Sequence, residues 1–259
     1  MGGTDKLTRI MQQHSIPPAQ PVSDGVLFAL AFALTAVLAA VGAGLGARWG
    51  WWTFGTGFSI LKYAVVGALV SVPLSLLGLW FVVRGRRRGR GWALLALVTG
   101  LAGVWVPLHT LYTARGLPLI HDISTDTDHP PEFAAVLPLR AGASNSADYG
   151  GATVAAQQKR FYPDIQPLTL AQPPAQVFPQ ALAAAQDMGW EVVEANEREG
   201  RIEATATTFW FGFKDDVVVR LTPDGAGSRI DVRSLSRVGV SDLGANAQRI
   251  RAYLKRLAR

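Results

Sequence analysis

The 259-residue chain carries 25 Lys/Arg against 19 Asp/Glu, a formal charge of +6, and no cysteine. A basic balance invites nucleic acid, but residues 1–115 hold ten Lys/Arg against two Asp (net +8), while 116–259 hold fifteen against seventeen (net −2). The C-terminal part thus lacks the basic excess of a nucleic-acid binder, and the missing thiols exclude disulfides, thiol nucleophiles and Cys-ligated metals.

Residues 1–24 read as a polar lead-in, extended by Pro17, Pro18 and Pro21. Lys6 stands where N-myristoylation needs Ser or Thr. Residues 25–47 contain no charge and are long enough to span a bilayer. A cleaved signal peptide has a shorter apolar core that starts earlier. Trp49, Trp51, Trp52 and Phe54 follow, the aromatic type that gathers at a membrane–water boundary. A second span is expected over 63–83, interrupted by Pro73, and a third over 91–114, closed by Arg115. Between them lies Arg84-Gly85-Arg86-Arg87-Arg88-Gly89-Arg90, five arginines in seven residues.

Short basic loops stay on the cytoplasmic side during insertion. The arginines therefore orient the chain: N-terminus inside, Trp-rich loop outside, and residues 116–259 outside. The expected setting is a membrane, with three spans in lipid and an extracytoplasmic domain behind them. Gly42-x-x-x-Gly46 suits close packing within the bundle. His109 is the titratable group near the outer end of the third span, and residues 25–47, 63–83 and 91–114 contain no Asp or Glu, so a transporter is disfavoured and an anchor expected.

Beyond the anchor, residues 116–138 should form an ordered loop rich in Asp, Ser and Pro. Asp122, Asp126 and Asp128, with His121 and His129 beside them, invite a metal. The spacing lacks the turn Gly and closing Glu of an EF-hand loop, and turn capping accounts for the same residues. No metal or cofactor is expected. Residues 140–174 should stay irregular, and Tyr149-Gly150-Gly151 is too short for a phosphate loop.

Pro173-Pro174 leads into a helix with Phe178, Ala181, Leu182, Ala185 and Met188 on one face and Gly189 at its end. Strands are expected over 190–195, 201–208, 214–221 and 228–237. In the second, Ile202, Ala204 and Ala206 alternate with Glu203, Thr205 and Thr207, one face buried and one wet. Setting Leu221 opposite Ser228 places Val219 against Ile230 and Val217 against Val232. Asp216 then faces Arg233 on the wet side, beside Glu203, Thr205 and Arg220. A slip of one residue would set valines against charges.

The last helix should start near Ser241 or Asp242 as cap, with Leu243, Ala247, Ile250, Leu254 and Leu257 buried. Arg249, Arg251, Lys255, Arg256 and Arg259 suit its C-terminal dipole. The whole is an α+β chain: a three-helix transmembrane anchor, then an antiparallel sheet with two helices on one face.

Three segments carry a resemblance: Ile120-His121-Asp122-Ile123-Ser124-Thr125-Asp126, Phe211-Gly212-Phe213-Lys214-Asp215-Asp216, and Asp231-Val232-Arg233-Ser234-Leu235-Ser236-Arg237 through Asp242-Leu243-Gly244-Ala245-Asn246. Over residues 116–258 the chain resembles the bacterial domain of unknown function 1499. The resemblance implies an envelope domain, sometimes preceded by membrane spans. It implies no established activity, and no catalytic residue is carried over.

Two functions compete. One is a non-enzymatic envelope module that binds another envelope protein, a lipid or a small ligand through a polar sheet face bearing Glu203, Asp216, Arg220 and Arg233. Ser124 and Asn246 join this candidate set from the segments of resemblance. The turn Phe209-Trp210-Phe211-Gly212-Phe213 would either touch the bilayer interface or pack under the sheet end. The other function is an envelope hydrolase built from Asp122, Asp126, Arg233, Ser234, Ser236, Arg237 and Asp242. It would need a serine within reach of a base, and no Gly-x-Ser-x-Gly elbow is present. Convergence of Asp126 and Arg237 in one pocket would favour it.

Overall fold

The computed structural model describes residues 22–85 and 88–258. The lead-in through residue 21, Arg86 and Arg87 of the basic stretch, and Arg259 lie outside the described residues. The chain divides into two compact units, one of Met1–Gly42 with Ser59–Pro107 and one of Ala43–Phe58 with Leu108–Arg259.

Among the described residues, three helices are long and apolar enough to cross a membrane: α1 (Asp24–Arg48), α2 (Phe54–Val83) and α3 (Arg90–Ala114). α2 begins at Phe54 rather than near residue 63. Lys62 does not break it, because a long Lys stem can lie along a helix while its charge reaches water. At 30 residues α2 is about 45 Å long, more than the ~30 Å of a hydrocarbon core.

Within the first unit the helices meet through small side chains. Ala29, Ala33, Ala68, Ala93 and Ala96 are buried. A Cβ on Gly100 would lie 2.4 Å from the Ser71 hydroxyl, and one on Gly78 would lie 3.0 Å from Val26. Close backbone approach of this kind substitutes for the hydrophobic drive that lipid removes. Ser71 and Ser75 are buried, and their hydroxyls donate to the carbonyls of Ala68 and Ser71. Gly42 and Gly46 do not act as a pair: Gly42 faces open space, and Gly46 leaves room for the Trp52 ring.

The second unit is built on an antiparallel sheet. Its strands are β1 (Asp122–Ser124), β2 (Leu168–Leu170), β3 (Glu191–Asn196), β4 (Arg201–Thr207), β5 (Lys214–Asp224) and β6 (Gly227–Ser236), ordered β1-β6-β5-β4-β3. β2 also pairs with β6, nearer its start than β1. The helices are α4 (Gly151–Phe161), α5 (Pro174–Asp187) and α6 (Ala245–Leu257).

Ile202, Ala204, Val217, Val219, Leu221, Ile230 and Val232 of the sheet share one core with Val177, Phe178 and Ala181 of α5 and with Ala247, Ile250 and Tyr253 of α6. Tyr253 stacks on Trp190 and donates to the Ala181 carbonyl. α5 closes with a Schellman arrangement: Trp190 N–H to Ala185 O, Gly189 N–H to Gln186 O, and Gly189 at φ +72°.

Four expectations are corrected. α4 and β2 occupy a stretch expected to be irregular. Its Ala, Gln and Lys residues are good helix formers that lacked a marked apolar stripe, and α4 is the third helix on the sheet, contributing Val154 to the core. Leu243 is half exposed at φ +52°, so the buried stripe of α6 runs through Tyr253 instead.

The β5–β6 register is displaced by two residues: Leu221 faces Ile230, Val219 faces Val232, and Asp216 faces Leu235, not Arg233. A shift of two keeps every side chain on its face, so the apolar pattern cannot detect it. The turn decides. Asp224 pairs with Gly227, and Gly225 at φ +58° begins the tight two-residue connection, as a II′ hairpin requires.

Finally, the sheet face expected to be wet is buried. Residues 125–149 cross over it, bringing Phe133 and Val136 onto Val218 and Leu235.

Candidate functional site

Beneath that crossing segment Glu203, Asp216, Asp231 and Arg233 are each at most 2 % exposed. Such charges persist in a protein interior only when paired and hydrogen-bonded, and each of these is. Arg233 donates from Nε and Nη2 to both oxygens of Asp122, at 3.0 and 2.8 Å. Its remaining donors reach the carbonyls of Pro131 and Ala147, and its plane lies against Phe133 and Tyr149. Burial, with the Asp122 charge adding to it, pushes the Tyr149 phenol up to about 12.

Asp216 accepts from Arg140 at 2.6 Å, from two nitrogens of Arg237 at 2.9 and 2.7 Å, and from Thr205 at 2.8 Å. Glu203 accepts three backbone amides, those of Ala134, Ala135 and Val136, at 2.9, 3.1 and 3.0 Å. A carboxylate thereby fastens the segment that covers it.

At the hairpin end, Asp231 and Asp126 share Arg220 and Arg229. Asp126 also receives the amides of Asp128 and His129, the turn-capping role expected for this loop. Burial alone would raise its carboxyl, but those two amides and the guanidiniums of Arg229 and Arg220 outweigh it and leave it below the ordinary carboxylate value. Ser124 donates to the Asp126 carbonyl, and its backbone is met on both sides by the Gln158 amide. Gln158 therefore extends the sheet past the free edge of β1 like one residue of a further strand.

The segment after β6 is braced separately. Ser234 donates to Asn246, Asn246 donates to Ser236 and to the His121 carbonyl, and Arg249 joins Ser234 and Asn246 to Asp215. Asp242 accepts the amides of Gly244 and Asn246 at the start of α6, and Ser241 accepts that of Leu243. Burial raises the Asp242 carboxyl against those two amides.

The candidate residues thus fall into four separate groups rather than one. Asp126 sits with Arg229, near the start of β6, and Asp216 with Arg237, one residue past its end; eight residues of extended chain separate the two arginines, about 27 Å. The pairing expected between Asp216 and Arg233 does not form, because each has a different partner. Ser236 and Ser124 bond to amide or backbone groups and Ser234 to the Asn246 amide and the Arg249 guanidinium, none of them to a carboxylate or imidazole. Among the described residues no group of three His, Asp or Glu is arranged to hold a metal.

Three residues of these networks escaped sequence reasoning, Arg140, Gln158 and Arg229, and Arg249, expected to serve the helix dipole, pairs with Asp215 instead. Arg140 follows Leu137-Pro138-Leu139 on a short 3-10 turn, and nothing local marks it as the partner of a residue 76 positions away.

A concavity of about 280 Å³ lies beside Asp126, Gln158 and Arg229 without reaching Arg237, and two larger concave surfaces of the same unit are open. A groove of about 540 Å³ runs between Pro130, Pro131 and Glu132 on one side and Arg201 and Arg220 on the other. The second is a cleft of about 370 Å³ between the aromatic turn and the segment before α6.

The turn at 208–213 is a packed feature. Phe211 stacks on Phe213 and packs against Phe58, and Phe213 meets Phe54. Arg48 donates 2.8 Å hydrogen bonds to the carbonyls of Thr208 and Phe209. Phe209 itself is 83 % exposed.

Three helices long and apolar enough to cross a membrane, followed by an α+β domain with one sheet face closed over paired charges, define a membrane-anchored protein. Residues 122–257 match the model of the family described as protein of unknown function (DUF1499), more than half of the chain. The chain belongs to that family. No curated protein matches it.

Proposed function

We propose that this is a multi-pass protein of a bacterial inner membrane, with residues 1–24 in the cytoplasm, 25–115 as anchor and 116–259 in the periplasm. The outer domain works as a binding module of the envelope. The arginine-rich stretch between α2 and α3 supports the orientation.

The observation that carries the binding reading is that the sheet-face acids are already matched to internal arginines or amides. A scaffold with its charges satisfied in this way is rigid, and the candidate serines Ser124, Ser234 and Ser236 are held by backbone, amide or guanidinium groups rather than by a carboxylate. The groove between Pro130 and Arg220 is a suitable docking place, since the Arg220 Nε inside it has no hydrogen-bond partner.

Two measurements test the reading. A phosphatase fused after Arg259 should be active and a cytosolic reporter at the same point silent; the reverse pattern overturns the orientation. A photoreactive side chain at Glu132 should crosslink a discrete partner in intact cells. No adduct there, together with hydrolysis of an envelope extract by the purified protein, would move the assignment to an enzyme.

A further inference from the structure

The cleft beside the aromatic turn combines features that no packing role requires. One wall is Phe54 and Phe58, in the first turns of α2, and Phe213 lines it with them. The opposite wall is Val238, Val240 and Leu243. Val240 is 71 % exposed and Leu243 50 %. Leu243 holds this position at φ +52°, a backbone region that costs a residue with a Cβ about 1–2 kcal/mol. Strain maintained to keep an apolar side chain in the open points to a ligand or a surface that receives it.

The polar groups of the cleft are already engaged. Asp215 is paired with Arg249, Ser236 accepts from Asn246, and Asp242 caps α6. They offer no free charge to an ionic ligand. The surface left over is apolar, in a volume of about 370 Å³, within the roughly 300–1,000 Å³ typical of ligand sites. The same unit exposes Trp49, Trp51 and Phe209, the residue types of an interfacial belt. Phe54 and Phe58 belong to a helix long and apolar enough to cross the bilayer. The wall of the cleft is therefore continuous with a surface that lipid covers.

We propose that this cleft receives the acyl chain of a phospholipid from the adjoining leaflet, with Val240 and Leu243 as the flap over the chain and Phe54, Phe58 and Phe213 as its floor. The inference rests on the binding-module reading and adds a ligand class to it. Binding is noncovalent, and the lipid keeps its headgroup at the interface.

The test uses the full chain in liposomes of phosphatidylethanolamine and phosphatidylglycerol, with phospholipid probes bearing a diazirine either at the chain end or on the headgroup. Chain-end adducts should map to Phe213 and to residues 238–243, as well as to the interior of the helices. Val240→Asp and Leu243→Gly should each cut the adducts at 213 and 238–243 at least five-fold and leave those within the helices unchanged. Leu243→Gly relieves the backbone strain, so unfolding would not explain its loss. Headgroup adducts on the loop without chain-end adducts there would mean surface contact alone and overturn the proposal. Chain-end adducts confined to the helices would overturn it too. Neither result bears on crosslinking at Glu132, so the binding-module reading stands or falls separately.

Discussion

Arg233 grips Asp122 with two nitrogens, at 3.0 and 2.8 Å, where neither side chain is more than 5 % exposed. The pair ties β1, at one edge of the sheet, to the middle of β6 and stations the guanidinium between Phe133 and Tyr149. Removing one partner leaves a buried charge alone, which costs about 3–5 kcal/mol. Asp122→Leu or Arg233→Met should each lower the melting temperature of the detergent-purified protein by about 10 °C or more. The double variant should recover most of that, since an apolar pair leaves no orphan charge. Equal losses in single and double variants would show that the pair is not the reason for the cost.

Glu203 makes a different kind of prediction. It holds three successive amides of the crossing segment, and an unsatisfied buried donor costs about 1–3 kcal/mol. Glu203→Ala should destabilise by at least ~3 kcal/mol. It should also raise amide exchange at 134–136 before exchange rises in β5. Uniform exchange across the domain would mean that the carboxylate fastens nothing locally.

Two glycines separate conformational strain from collision. Gly225 and Gly200 both have positive φ, +58° and +60°. A Cβ at Gly225 meets open space, whereas one at Gly200 would lie 2.2 Å from the Leu221 carbonyl oxygen. Gly225→Ala should cost about 1–2 kcal/mol. Gly200→Ala should cost clearly more, because backbone must move. Equal denaturation midpoints for the two variants would contradict this turn geometry.

Two carboxylates should respond to pH with opposite sign. The Asp126 carboxyl is held below its ordinary value, so its contribution is present above the unfolded value and fades as pH falls through the folded one. The Asp242 carboxyl is raised, so its contribution is full below the unfolded value and is lost as pH rises through the folded one. The melting-temperature gap between wild type and Asp126→Asn should shrink on acidification below pH ~4. The gap for Asp242→Asn should shift in wild type's favour over the same acidification. Parallel trends in the two gaps would refute the assignment.

What the chain alone decides here is whatever short-range periodicity encodes. Three uncharged stretches specify helices for a membrane because length and apolarity are local quantities. Alternation at Ile202, Ala204 and Ala206, with Val217 and Val219, picks the core face of the sheet, and Gly189 marks the end of α5. The tertiary structure decided the rest. A two-residue displacement of β5 on β6 leaves every face unchanged, so only the turn at Gly225 could choose the register. The polar sheet face looked wet because alternation reports polarity, not exposure. It is buried because residues 125–149, far away in sequence, bring Arg140 and three free amides to carboxylates that would otherwise need water.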